Sequence, residues 1–342
     1  QIGAISLNSI KPDPDAPVEG NLRAGYGNLD FTLVEGAVNL PVNETLAFRL
    51  AGRWKQRDGY IESLTDQEDY QGFQVGALRA SALWKPTEKL EALYIFNIQR
   101  DQNTGTSFKS GTFLSEGADI APSSPTALNF FGGPVSEGKT ELGLDRVLWN
   151  ATLRLDYQIN DYLSVTSISG YREFDSDEVF DPDGFDYPAI QAAEDAEGDQ
   201  FSQEIRLNFN DGGRWAGFAG FSYFDEQGEQ RVPTRFTQAL AAGFLNNNPF
   251  TGNPLIFSEE PGVVQSPVPV DTINNLVGLF FTIPPEQIIF DEEFVNISDQ
   301  QSYEFFADAT YQLTDTIDLT GGFRYTRDEK RSGFTAFLPG GQ

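Results

Sequence analysis

Thr45-Leu46-Ala47-Phe48-Arg49-Leu50-Ala51-Gly52-Arg53-Trp54-Lys55-Gln56-Arg57 alternates for a dozen positions. Leu46, Phe48, Leu50, Gly52 and Trp54 occupy one face, and Ala47, Arg49, Ala51, Arg53 and Lys55 the other, the two-residue period of a β-strand. A strand in a soluble sandwich alternates too, but is only about five or six residues long, with its apolar side turned to a core. Strands of about ten residues, apolar outward and charged inward, suit a barrel in a membrane.

The rest of the chain repeats this pattern. Alternating segments are expected at 20–26, 30–40, 71–84, 90–100, 146–157, 162–174, 200–209, 214–226, 300–313 and 317–327, which with 45–57 give about eleven strands, besides a short strand at 4–10. Turns a few residues long fall near Pro41, Pro86, Asn160, Gly212 and Asp315, where Pro, Asn, Asp and Gly supply turn geometry. Between them lie longer connections, above all 101–145, the acidic 175–199 and 227–299. Inside the last, 235–244 and 271–279 read as short helices, the second with Asp271 as N-cap. Short turns at one end and long loops at the other are the rule for outer-membrane barrels, with the short turns periplasmic and the long loops extracellular.

Composition narrows the chemistry. The 342 residues include no Cys and no His, which removes thiolate chemistry, disulfides and a Ser-His-Asp triad built within the chain. A formal charge of −28 repels phosphate and argues against a nucleic-acid partner. No apolar run approaches the roughly 18 residues of a membrane helix. The chain begins without Met or a signal peptide, as expected of a fragment.

A mid-strand guanidinium facing lipid costs about 2–4 kcal/mol, so Arg49, Arg53, Arg79, Arg154, Arg206 and Arg324 are expected to face the lumen together with Glu204. Glu35, Glu91, Asp156, Glu304 and Asp308 share that phase. Two roles stand open for these charges: pairing with one another or with a plug, and contact with a ligand. Trp54, Trp84, Trp149, Tyr157, Tyr311 and Tyr325 have the opposite phase and suit membrane-interface girdles. Asp181, Asp183 and Asp186 form either an acidic surface turn or a weak oxygen-ligand site for calcium; the EF-hand frame is missing. No cofactor is expected.

Gly3-Ala4-Ile5-Ser6-Leu7-Asn8-Ser9-Ile10-Lys11-Pro12 resembles the last plug strand and exit linker of TonB-dependent outer-membrane receptors. Val34-Glu35-Gly36-Ala37-Val38-Asn39-Leu40-Pro41 and Arg57-Asp58-Gly59-Tyr60 resemble that family's first barrel strands, and Phe201-Ser202-Gln203-Glu204-Ile205-Arg206-Leu207 its recurring mid-barrel strand. The resemblance implies a plugged barrel of about 22 strands. Residues 1–17 would be the end of the plug and its linker, and 18–342 the N-terminal half of the barrel. It further implies a gated importer, not an enzyme, in the outer membrane of a Gram-negative bacterium. Its partners would be the TonB energy-transducing complex, outer-membrane lipid and a scarce small-molecule ligand such as a ferric siderophore. An ungated porin and a secreted soluble β-protein or adhesin are the alternatives. Half a barrel leaves two unpaired strand edges, so the chain by itself is not expected to fold stably.

Overall fold

The computed structural model describes residues 9–62, 69–105, 142–180, 190–237, 256–257, 264–265 and 289–337. Asp181, Asp183 and Asp186 therefore lie outside the described residues, as does the helix expected at 271–279.

Eleven antiparallel strands form one sheet in which every strand pairs with its neighbour in sequence. They are β1 (Glu19–Tyr26), β2 (Thr32–Asn43), β3 (Leu46–Arg57), β4 (Phe73–Thr87), β5 (Leu90–Asn103), β6 (Gly143–Asn160), β7 (Leu163–Phe180), β8 (Ile190–Asn210), β9 (Trp215–Thr237), β12 (Ile289–Thr314) and β13 (Ile317–Phe337). The short β10 (Ile256–Phe257) and β11 (Val264–Gln265) make a separate two-stranded ladder. Among the described residues β1 and β13 are the open edges of the large sheet.

The turns near Pro41, Pro86, Asn160, Gly212 and Asp315 fall at one end of the sheet, with the short β1–β2 connection 27–31 at the other, and four of those five hairpins carry a register shift at their turn. The shifts lie between Pro41 and Asn43, Trp84 and Thr87, Gln158 and Asn160, and Gln312 and Thr314. This corrects the turns expected at Pro41 and Pro86. Both prolines sit within strands beside these irregularities, where a missing N–H is tolerated, and the chain reverses just beyond them.

At the opposite end the strands run much further than expected. The stretch expected to connect through 175–199 is strand as far as Phe180 and again from Ile190, and 227–299 is strand to Thr237 and again from Ile289. Likewise β5 continues to Asn103 and β6 begins at Gly143. Arg235 and Phe236, expected to open a helix, pair instead with both β8 and β12, and Thr237 pairs with β12; the rest of that expected helix lies outside the described residues. Ser9 and Ile10 carry no strand, and the remainder of the strand expected at 4–10 also lies outside.

A single sheet has no second layer to bury a core against. Buried hydrophobic residues are few among the described positions, Leu33, Ala47, Leu83 and Val179 among them. Many large apolar side chains are exposed, including Leu78 at 50%, Phe305 at 55% and Phe323 at 66%. Exposure on this scale along one continuous face marks a surface meant for a nonaqueous neighbour.

Candidate functional site

In-register partners on adjacent strands share a face, so the ladders assign every strand residue to one of two surfaces. One surface carries Leu50, Trp54, Tyr94, Leu153, Ile205, Phe221 and Phe305. Across it two aromatic rows run parallel. The upper row passes through Phe96 and Trp149 (ring centroids 6.2 Å apart), Tyr171 (5.1 Å from Trp149), Phe201, Tyr223 (6.3 Å from Phe201) and Tyr303 (5.2 Å from Tyr223). The lower row has Trp84, Tyr157, Phe209 and the pair Trp215 and Tyr311 at 4.7 Å.

The two rows keep one spacing. Trp149 and Tyr157, Phe201 and Phe209, Trp215 and Tyr223, and Tyr303 and Tyr311 are each eight positions apart. Eight residues span about 27 Å along a strand, which when tilted matches the apolar band of a membrane barrel. Beyond the upper row β12 continues for fourteen more positions, from Tyr303 back to Ile289, about 46 Å of strand above the membrane boundary.

The opposite surface carries every lumen residue expected from the sequence. Arg49 lies opposite Asn39 and Ser81, and Arg53 opposite Glu35. Arg79 shares its face with Asn97, Arg154 with Ile168, Arg206 with Gly220, and Arg324 with Phe306. Glu204 lies between Ile168 and Ser222.

These residues share a face but do not converge on one point. Arg53 Nε stands 3.5 Å from Glu35 Oε2, and Arg23 Nη1 donates to Glu35 Oε1 at 3.2 Å. Arg154 donates twice to Asp156, at 2.7 and 3.1 Å, and Thr166 Oγ1 adds a third bond to that carboxylate at 2.8 Å. Arg324 Nη2 donates to Glu304 Oε2 at 2.7 Å. Arg206 stacks over Phe218 at 5.6 Å, and its Nε is buried with no acceptor. Among the described residues Arg49 and Glu204 form no ion pair.

The N-terminal segment lies against this face. Arg79 Nη1 donates to Ser9 Oγ at 2.6 Å, Lys11 Nζ to Glu91 Oε1 at 2.8 Å, and the Asp13 N–H to Asn39 Oδ1 at 2.9 Å. Residues 9–15 thus lie along the charged wall over β2, β4 and β5, and never touch the apolar surface through these bonds.

Nearer the end with the long connections, a concave space of about 1000 Å³ opens on the inner face, lined from Gln99 on β5 to Phe334 on β13. The sheet therefore curves around it. Arg146 Nη2 donates to Asp101 Oδ2 at 2.8 Å, and Asn296 Nδ2 to Gln230 Oε1 at 2.9 Å along this wall. Glu178 and Glu194 face each other in register close by, beyond the upper aromatic row. Burial, then the neighbouring Glu194, pushes the Glu178 carboxyl above its usual value, with Arg146 pulling the other way. Sequence reasoning passed over Asp101, Glu178, Glu194, Gln230 and Asn296 because it placed them in or beside connections. With polar residues on both faces of these strand ends, no apolar alternation marked them in the sequence.

Among the described residues no group of three or more Asp or Glu is arranged to hold a metal. No helix among them is long and apolar enough to cross a membrane, which says nothing of a barrel.

No protein-family model matches the chain, and no curated protein matches it. Solved structures do. The ferric yersiniabactin uptake receptor FyuA from Yersinia pestis aligns over 97% of this chain and 42% of its own length, at 13% identity and a TM-score of 0.62. The ferripyoverdine receptor of the outer membrane of Pseudomonas aeruginosa, bound to ferripyoverdine, aligns over 97% of this chain and 40% of its own, at 10% identity and a TM-score of 0.53. The chain spans less than half the length of either receptor, and at this identity the likeness is one of fold. In fold, this chain is similar to part of each of these two receptors.

Proposed function

We propose that the chain is the end of the plug, residues 1–17, and the N-terminal half of the barrel, residues 18–342, of a TonB-dependent receptor in the outer membrane of a Gram-negative bacterium. The receptor imports a scarce ligand, such as an iron–siderophore complex, by energy-coupled gated transport. Its partners are the TonB energy-transducing complex, outer-membrane lipid and that ligand; it is a transporter and not an enzyme.

The observation that carries this reading is the seating of residues 9–15 on the charged inner wall through Ser9, Lys11 and Asp13. An empty pore has no need of a chain segment bound along its lumen, whereas a plugged barrel must lead its plug out along the wall. The two aromatic rows support the membrane placement, and the inner concavity beyond the upper row supports capture of ligand before passage. The lumen residues Arg49, Arg53, Arg79, Arg154, Arg206, Arg324 and Glu204 are proposed as contacts to plug or ligand.

Uptake of a ferric siderophore by cells carrying the receptor, measured with and without a protonophore, tests the reading. Uptake is expected to stop when the proton-motive force is collapsed. Uptake that persists and scales linearly with external concentration would identify a passive porin instead.

A further inference from the structure

The segment that enters the barrel is held in two different ways. Ser9 and Lys11 are held by side chains in contact with water: Lys11 is 46% exposed and Glu91, its partner, 29%. Such contacts are weak and screened by salt. Asp13 is held through its backbone. Its N–H donates to Asn39 Oδ1 at 2.9 Å, and Asn39 Nδ2 donates back to its carbonyl at 2.8 Å. The side-chain amide thus copies the two-bond pairing of neighbouring strands, which needs a donor and an acceptor on one group. Asn39 is 2% exposed, and Pro12 and Pro14 on either side of Asp13 are buried. Asp15 N–H then donates to Asp13 Oδ1 at 2.9 Å, turning the chain toward β1.

The backbone of Asn39 pairs with Glu19, the first residue of β1. One residue therefore anchors the chain at Asp13 with its side chain and at Glu19 with its main chain, closing the intervening residues into a loop.

From this arrangement the geometry points to Asn39 as the stop that limits how far chain can be drawn off the inner wall. The inference rests on the reading that the N-terminal side of this segment is pulled during transport. Under such a pull the contacts of Ser9 and Lys11 release singly. The two bonds at Asp13 are loaded together, and the buried prolines must be exposed at the same moment, so extraction halts there. Without the clamp the load passes to Glu19 and peels β1 from β2. Asn39 thus keeps a force meant for the plug from unzipping the barrel.

The test is force spectroscopy on the receptor in a supported bilayer, pulled by a handle on the N-terminal side of Gln1. The released contour length is expected to end at a barrier at Asp13. In Asn39→Ala the barrier should advance six residues to Glu19, about 20 Å of chain, while Lys11→Ala leaves its position unchanged. A barrier already at Glu19 in the unaltered receptor, or one that does not move in Asn39→Ala, overturns the inference. Should Asn39→Ala fail to reach the folded, heat-modifiable form, Asn39→Asp keeps the acceptor and loses the donor. The barrier force must then fall, and an unchanged force overturns the inference. Uptake by the unaltered receptor that ignores the proton-motive force would sink the gated-transport reading, whether or not the barrier stands at Asp13.

Discussion

Tyr223 and Tyr303 face each other in register on β9 and β12 with ring centroids 5.2 Å apart, and eight residues toward the short turns Trp215 and Tyr311 repeat the pairing at 4.7 Å. Two such aromatic pairs on the same two strands fix the height of the sheet relative to a membrane. Everything between them on that face meets acyl chains, and everything beyond Tyr303 meets water or headgroups.

Leu153 lies midway between Trp149 and Tyr157 on the apolar face of β6. Leu153→Arg is expected to destabilise the barrel in lipid vesicles by about 2–4 kcal/mol, the cost of a guanidinium at the midplane. Thr152→Arg, one residue away on the inner face, should change stability by less than about 1 kcal/mol. Urea titrations followed by Trp fluorescence read both, and equal costs would mean that the two faces have been assigned wrongly.

Gly220 on the inner face sits under the Phe306 ring. A Cβ there would meet Phe306 Cε2 at 2.6 Å and the Ile205 carbonyl oxygen at 2.9 Å. Gly220→Ala should therefore cost about 1–3 kcal/mol through overpacking. Phe306→Leu in the same chain relieves the clash with the ring but not that with the carbonyl, so the pair is expected to recover about half of the loss. Strict additivity would show that the ring does not hold this position.

Arg154 and Asp156 are joined by two bonds, yet the arginine side chain is 41% exposed. Water and salt in the lumen screen the pair, so a double-mutant cycle with Arg154→Ala and Asp156→Asn should return a coupling of about 0.5–1 kcal/mol that shrinks in high salt. Should Arg154 also hold ligand, its substitution will weaken ligand binding by far more than it weakens the fold. Comparing the affinity loss with the stability loss separates the two roles that the sequence left open for the lumen arginines.

How far the sequence could be read follows from what surrounds each part of a strand. Between the aromatic rows lipid lies on one side and a charged lumen on the other, so Leu46 to Lys55 and Phe201 to Phe209 alternate sharply and the facing of Arg49, Glu204 and Arg206 can be read directly. Beyond the upper row both faces meet water. Asp175 to Glu178, Glu194 to Asp199 and Gln227 to Gln230 then carry polar residues on both faces, and the strand signal disappears although the ladders continue, the one between β8 and β9 skipping only Ala193 and Glu194 opposite Pro233 and Val232. Strand signals depend on apolar alternation, which reports the medium as well as the backbone. The anchoring of Asp13 by Asn39 was hidden for another reason: one amide on β2 bonding a backbone 26 residues away leaves no periodicity to detect.

The extended part of the sheet places like charges side by side. Asp175, Glu197 and Glu229 occupy one row across β7, β8 and β9 on the outer face, each in register with the next and all exposed. Opposed like charges destabilise a sheet, and reversing the middle one converts two repulsions into two attractions. Glu197→Lys is therefore expected to stabilise the protein by about 0.5–1 kcal/mol at low ionic strength, with the gain falling as salt is added. Hydrogen exchange should at the same time slow at the amides of 195–199, around the substituted position. A loss of stability in Glu197→Lys would mean that repulsion along the acidic row is not what limits the stability of this part of the sheet.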